Sequence, residues 1–178
     1  VKADLEKSWD LAFGYTGIPA DYDPAYKNVA GAKKPAAIRL LGSYLDEMDK
    51  YLANGKTVLN AFIKGRAAIS NNDLTTKNAQ AVILKTESEK SIAAAAIKYM
   101  NVSKSETDVV KRLHGLSEGT GFVQALKYSG SGKLSAGELD AALVKLGNLW
   151  TVTGDQLTEI RDMISAVYGL DAIKKDIK

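Results

Sequence analysis

The sequence predicts an all-α protein, a helical bundle of about seven helices, with essentially no β-strand. Three observations carry the prediction. Apolar residues recur at spacings of three and four through most of the chain, and no stretch alternates apolar and polar residues with period two. Only three prolines occur in 178 residues, so long stretches run without a helix breaker of that kind. Short clusters of Gly, Asn, Ser and Asp separate the periodic stretches, and these residues end one helix and cap the next. Helices with one apolar stripe bury it against each other, which makes a bundle.

The first helix covers residues 1 to 14, with Val1, Leu5, Trp9, Ala12 and Phe13 at helical spacing, and Gly14 and Gly17 end it. Residues 16–34 hold Gly17, Pro19, Pro24 and Gly31 with Asp21, Tyr22, Asp23 and Tyr26. They read as a long loop, either a functional surface or a connection between bundle halves. Pro35 suits the first turn of a second helix through Ile38, Leu41, Leu45 and Met48 to Leu52, stopped by Asn54-Gly55. The third takes Val58, Leu59, Phe62, Ile63 and Ile69 and ends at Ser70-Asn71-Asn72-Asp73. The fourth runs from Thr75 to Met100, with Val82, Thr86, Ala93, Ile97 and Met100 on one stripe. Ser105 to Asp108 supplies N-cap chemistry for a fifth, which carries Val109, Val110, Leu113, Leu116, Phe122, Val123 and Leu126 up to Ser129-Gly130-Ser131-Gly132. A sixth covers Ala136 to Leu146, and a seventh starts near Asp155, carries Leu157, Ile160, Ile164 and Val167, and stops at Gly169.

Composition bounds the function. Hydrophobic residues make up 46% and charged residues 25%, as in a soluble globular protein. The length suits one compact domain or two small ones; the reading taken is a single domain over residues 1–178, a fragment of a longer exported protein whose N-terminal portion packs against it. The net charge of +3 comes from 24 basic and 21 acidic residues that are interspersed, so no basic stripe points to nucleic acid. No apolar run is long enough for a transmembrane segment. The absence of cysteine removes disulfides, thiolate metal sites and cysteine nucleophiles.

Three charged residues stand where periodicity expects apolar ones: Arg66, Glu89 and Glu118. A buried charge is costly unless paired, so Arg66 is expected to form a structural ion pair with Glu89 or Glu118. His114 is the only histidine and lies four residues before Glu118, on the same helical face. With Asp10 or Glu89 as a third ligand, His114 and Glu118 would make a candidate site for a divalent metal or iron. The alternative is a histidine bonded to Glu118 or to a backbone carbonyl. The glycines around this pair read as a helix interruption facing Gly14. Residues 127–138 fit the frame of a calcium loop, with Gly132 at the turn and Glu138 closing it, but Lys127 occupies the first ligand position and repels the ion. Ser117 beside His114 lacks a nucleophile-elbow context. No catalytic residue is assigned.

Ser8-Trp9-Asp10-Leu11-Ala12-Phe13-Gly14-Tyr15-Thr16-Gly17 resembles the Trp-Asp-Glu-Ala-Phe-Gly-Tyr signature of an uncharacterised bacterial all-helical family related to the imelysin-like, iron-regulated proteins. The segments Phe62 to Ile69, His114 to Phe122 and Arg161 to Gly169 resemble its other blocks, and the chain as a whole resembles the carboxy-terminal part of a typical member. The resemblance implies an all-α protein of two related bundles, export to the periplasm or cell surface, often as a lipoprotein, and a role in iron or other metal uptake. The sequence departs from the pattern at Leu11, where glutamate is usual, and at the His114–Glu118 spacing, one residue wider than the imelysin element. The function expected is therefore an exported helical-bundle binding protein without catalysis, its partner an unidentified protein or a metal ligand. The alternatives are a structural or partner-binding surface module, with residues 16–34 as contact surface, and an imelysin-type metallopeptidase.

Overall fold

A computed structural model describes residues 2–31, 35 and 37–178. Seven α-helices account for most of it: α1 (Lys2–Thr16), α2 (Leu41–Leu52), α3 (Gly55–Ser70), α4 (Leu74–Ser105), α5 (Val109–Lys127), α6 (Ala136–Lys145) and α7 (Gly154–Tyr168). One 3-10 turn, Pro24–Lys27, interrupts the α1–α2 connection. No strand occurs among the described residues. The all-α bundle expected from the sequence is the fold.

The helix ends follow local chemistry. The Asp108 side chain accepts a hydrogen bond from the Lys111 backbone and caps α5. Ser135 with Glu138, and Thr153 with Gln156, form reciprocal capping boxes at the starts of α6 and α7. Gly169 closes α7 in the left-handed conformation.

The chain divides into two compact units, Val1–Ser88 and Glu89–Lys178, with the boundary inside α4. In the first, Ile18, Tyr22, Leu45, Val58, Leu59 and Phe62 form the core, and Trp9, Phe13, Ile38 and Leu84 pack against it. Residues 22–27 of the α1–α2 connection are anchored to α2. The Tyr22 and Tyr26 hydroxyls donate to the two oxygens of Asp46, at 3.1 and 2.9 Å, and Lys27 pairs with the same carboxylate at 2.8 Å. Burial, with Asp46 alongside, pushes the Tyr26 hydroxyl up to about 12, and pushes Tyr22 further. Both tyrosines therefore act as neutral donors.

Pro35 does not start α2. That helix begins six residues later, after Leu40 at φ 52°. The Arg39 backbone N–H donates to the Gly17 carbonyl at 3.0 Å, and Gly17 has φ +74°, where a Cβ would stand 2.1 Å from the Arg39 carbonyl oxygen. A pairing with a residue 22 positions away holds this stretch out of helix.

In the second unit, Ala93, Ala94, Ala95 and Ala96 are all fully buried, so this part of α4 is enclosed on every side rather than along one stripe. Val82, expected on the buried stripe, is 63% exposed. Helix α5 is continuous through its glycines, which correct the interruption read from the sequence. A Cβ on Gly115 would sit 2.6 Å from Ser103 Oγ, and one on Gly119 would sit 2.5 Å from Met100 Cε and 3.0 Å from Tyr99 Cβ. The pair lets α5 lie close against α4, where Tyr99 and Phe122 stack at 5.7 Å. Gly14 has nothing within 4 Å of its Cβ position.

Candidate functional site

Helix α1 docks on α3 through the residues that carry the sequence signature. The Trp9 indole N–H donates to the Phe62 carbonyl at 2.9 Å. Its ring lies on Gly65, where a Cβ would stand 2.0 Å from Trp9 Cζ2. Trp9 and Phe13 both meet Phe62 edge-on, at centroid distances of 6.0 and 5.2 Å. Four residues beyond Phe62, Arg66 projects from the same face of α3 toward α1. Its Nε donates to Asp10 at 2.9 Å, and its NH1 pairs with Glu6 at 2.9 Å and donates to Ser70 at 2.7 Å. Ser70 in turn donates to Glu6 at 2.8 Å. This bond, together with Arg66, holds the Glu6 carboxyl below its ordinary range.

Two recesses flank that polar cluster and share Asp10 and Arg66. The inner one, of about 430 Å³, is lined by Trp9, Phe13, Leu59, Phe62 and Ile63, with Asp10, Arg66 and Ser70 at its polar end. The outer one, of about 680 Å³, is an open trough along α1 bordered by Glu6, Lys7, Asp10, Leu11, Gly14, Tyr15 and Arg66. A mostly apolar hollow with a few convergent polar groups is the usual form of a small-molecule site.

These contacts correct the expected ion pair. Arg66 pairs with Glu6 and Asp10 of α1, not with Glu89 or Glu118. Periodicity places a residue on a face but does not choose the neighbouring helix, and α1 brings two carboxylates to that face. Glu89 is buried for a different reason. Its Oε1 accepts hydrogen bonds from the Tyr168 hydroxyl and from Ser131 Oγ, the latter at 2.5 Å. Burial and Glu89 together raise the Tyr168 hydroxyl well above its ordinary value.

The four candidate metal ligands find other surroundings. Asp10 is committed to Arg66, and Glu89 to Tyr168 and Ser131. His114 is exposed on α5, and half-buried Glu118 lines a shallow depression with Ser117, Gly121, Phe122 and Ala125. Among the described residues, no three His, Cys, Asp or Glu side chains gather in a metal-holding group. The calcium-like segment is a helix–turn–helix connection. Glu138 accepts from Ser135, Lys127 pairs with Asp140 at 2.6 Å, and Ser131 serves Glu89.

The family model described as domain of unknown function DUF4856 matches residues 2–171. The chain belongs to the DUF4856 family. No curated protein and no solved structure matches it. In this DUF4856 chain, two of the blocks singled out in the sequence, Ser8 to Gly17 and Phe62 to Ile69, are the two sides of one docking surface. Sequence reasoning missed Glu6, Ser70 and Ile63 as site residues. The available signal was Glu6 and Asp10 at i, i+4 on α1, a spacing suited to two carboxylates meeting one guanidinium.

Proposed function

We propose that this DUF4856 chain is a binding protein, not an enzyme, and that its ligand enters the recess between α1 and α3. One observation supports the reading. Trp9, Asp10, Phe13, Phe62 and Arg66 build both the α1–α3 junction and the wall of the same hollow. A junction needed only for stability could close on itself. This one leaves a hollow with Ile63 56% exposed on its wall. A ligand-observed NMR screen of a fragment library tests the proposal. Hits should compete with one another and disappear in Ile63→Trp, which fills the hollow. Hits that survive that substitution refute it.

The resemblance to imelysin-like proteins extends the proposal to export, to a periplasmic or cell-surface location, and to metal uptake. On this reading uptake works through a metal complex or a partner protein rather than a bare ion held by His114 and Glu118. Elemental analysis of the purified protein and calorimetric titration with iron and zinc, comparing wild type with His114→Ala and Glu118→Ala, test that part. Micromolar binding lost in both variants would restore the bare-ion site.

A second reading, a partner-binding surface module, draws on the outer trough. Leu11 and Tyr15, one helical turn apart, are 51% and 75% exposed along it. A pull-down that fails with Tyr15→Ser while circular dichroism stays unchanged supports this reading, and unchanged capture counts against it.

A further inference from the structure

We infer that the α1–α3 recess selects an uncharged molecule, an apolar body with at most one small neutral polar group, over ions of either sign. The inference rests on the binding reading above and names its ligand class. Size sets the first limit. A hollow of about 430 Å³ accommodates a small molecule rather than a helix or a peptide strand. Its wall is made of the Trp9, Phe13 and Phe62 rings with Leu59 and Ile63, and burying an apolar body against them is favourable.

Charge decides the rest. Among the described residues, the charged groups on this wall are one acid, Asp10, and one base, Arg66, and they are bonded to each other at 2.9 Å. The groups just outside balance as well. Glu6 pairs with Arg66, and the Lys2 ammonium bonds the Ser70 carbonyl, so two carboxylates stand with two cations around this end. Glu6 and Lys7 line the outer trough rather than the hollow. The Ser70 hydroxyl is occupied too, accepting from Arg66 and donating to Glu6. The charges at this end are thus matched before a ligand arrives. An ion entering the hollow sheds water and finds no uncommitted partner, whereas a neutral body has no such hydration to lose. An ion can keep its water only by drawing its head back into the trough, which lifts its body off the rings. The exclusion therefore applies to both signs.

The experiment uses the whole chain carrying Trp150→Phe, which leaves Trp9 as the single tryptophan. Octanol, octylammonium and octanoate share one tail and are titrated against Trp9 emission and by calorimetry. Octanol should bind saturably, and each ion about tenfold or more weaker. Ile63→Trp, read by calorimetry alone, fills the hollow and should abolish octanol binding. Asp10→Asn removes the acid from the wall and leaves Arg66 in excess there, so octanoate should gain about tenfold while octanol changes by less than about threefold. A purely structural role for Asp10 would instead weaken all three probes together, and that result overturns the charge argument. Either ion binding as tightly as octanol to the unsubstituted wall overturns the selection and leaves the binding reading standing. Octanol binding retained in Ile63→Trp overturns both. No saturable binding of any probe overturns the selection, and the fragment screen above then judges the binding reading by itself.

Discussion

Substituting alanine for Gly65 sets two effects of opposite sign against each other. Helix propensity alone favours the change by about 1 kcal/mol, since glycine is a poor interior residue. The structure predicts the reverse. The added Cβ would stand 2.0 Å from Trp9 Cζ2 and 2.5 Å from Cη2, so the indole must move. Moving it breaks the bond to the Phe62 carbonyl, worth about 1 kcal/mol. It also spoils the edge-on pair with Phe62, worth about 1 kcal/mol, and uncovers apolar ring surface worth about 1–2 kcal/mol. The losses come to about 3–4 kcal/mol, and after the propensity gain the net destabilisation is about 2–3 kcal/mol. Urea unfolding of a Trp150→Phe background, followed through Trp9 emission, reads this unit directly. Gly14→Ala, followed by the same emission, and Gly121→Ala, in the second unit and followed by circular dichroism, are the controls. Both positions lie inside helices with nothing near the new methyl, so each should gain about 0.5–1 kcal/mol. In a cycle with Trp9→Phe, read by circular dichroism, the Gly65→Ala penalty should shrink by at least half. A Gly65→Ala protein as stable as wild type would refute the account of how α1 docks.

Other outcomes follow from the second unit. Tyr168→Phe removes one of two hydroxyl donors to the buried Glu89 carboxyl and should cost about 1–3 kcal/mol in urea unfolding, and no loss would mean that Glu89 is satisfied elsewhere. His114→Ala changes an exposed side chain and should alter stability by less than about 0.5 kcal/mol, checked by thermal unfolding. Acid should loosen the C-terminal segment. Bonds from Arg161 and Lys174 hold Asp162 below its ordinary value of 3.8, and bonds from Lys174 and Ser165 do the same for Asp171. A lowered folded-state value means that the contribution is complete above the unfolded value and is lost as pH falls through the folded one. Amide protection after Leu170 should therefore hold down to about pH 4 and drop below it, ahead of the middle of α7, as NMR can follow.

Much of the fold was legible because helix ends are written locally. Asp108, Ser135 with Glu138, Thr153 with Gln156, and Gly169 mark boundaries that fall within a residue or two of those read from the sequence. The start of α2 was not legible. Pro35 offers a good first turn, but the Arg39–Gly17 pairing overrides it, and no local pattern announces a bond between distant backbone groups. The enclosure of α4 was hidden in a similar way. A run of four alanines is indifferent to facing, so periodicity chose Val82 and put an exposed residue on the buried stripe. At the candidate site, polarity on an apolar stripe singled out Arg66, which is half-buried and pairs with α1, and Glu89, which is buried. It could not supply their partners, because Glu6, Tyr168 and Ser131 lie on segments whose neighbours only the folded chain defines.

The seam between α4 and α5 has a consequence for how such a chain can change. Glycine has no smaller substitute, so at Gly115 and Gly119 every replacement adds atoms where Ser103, Met100 and Tyr99 already stand. Variation there runs in one direction only. It is tolerable when the opposite residue shrinks in step, as Ser103→Ala would for Gly115→Ala, where the Ser103 Oγ is the obstructing atom and the Ser103 Cβ stands at 3.8 Å. Paired replacements across this seam, each harmful alone and mild together, are the form that drift or engineering must take in this half of the molecule.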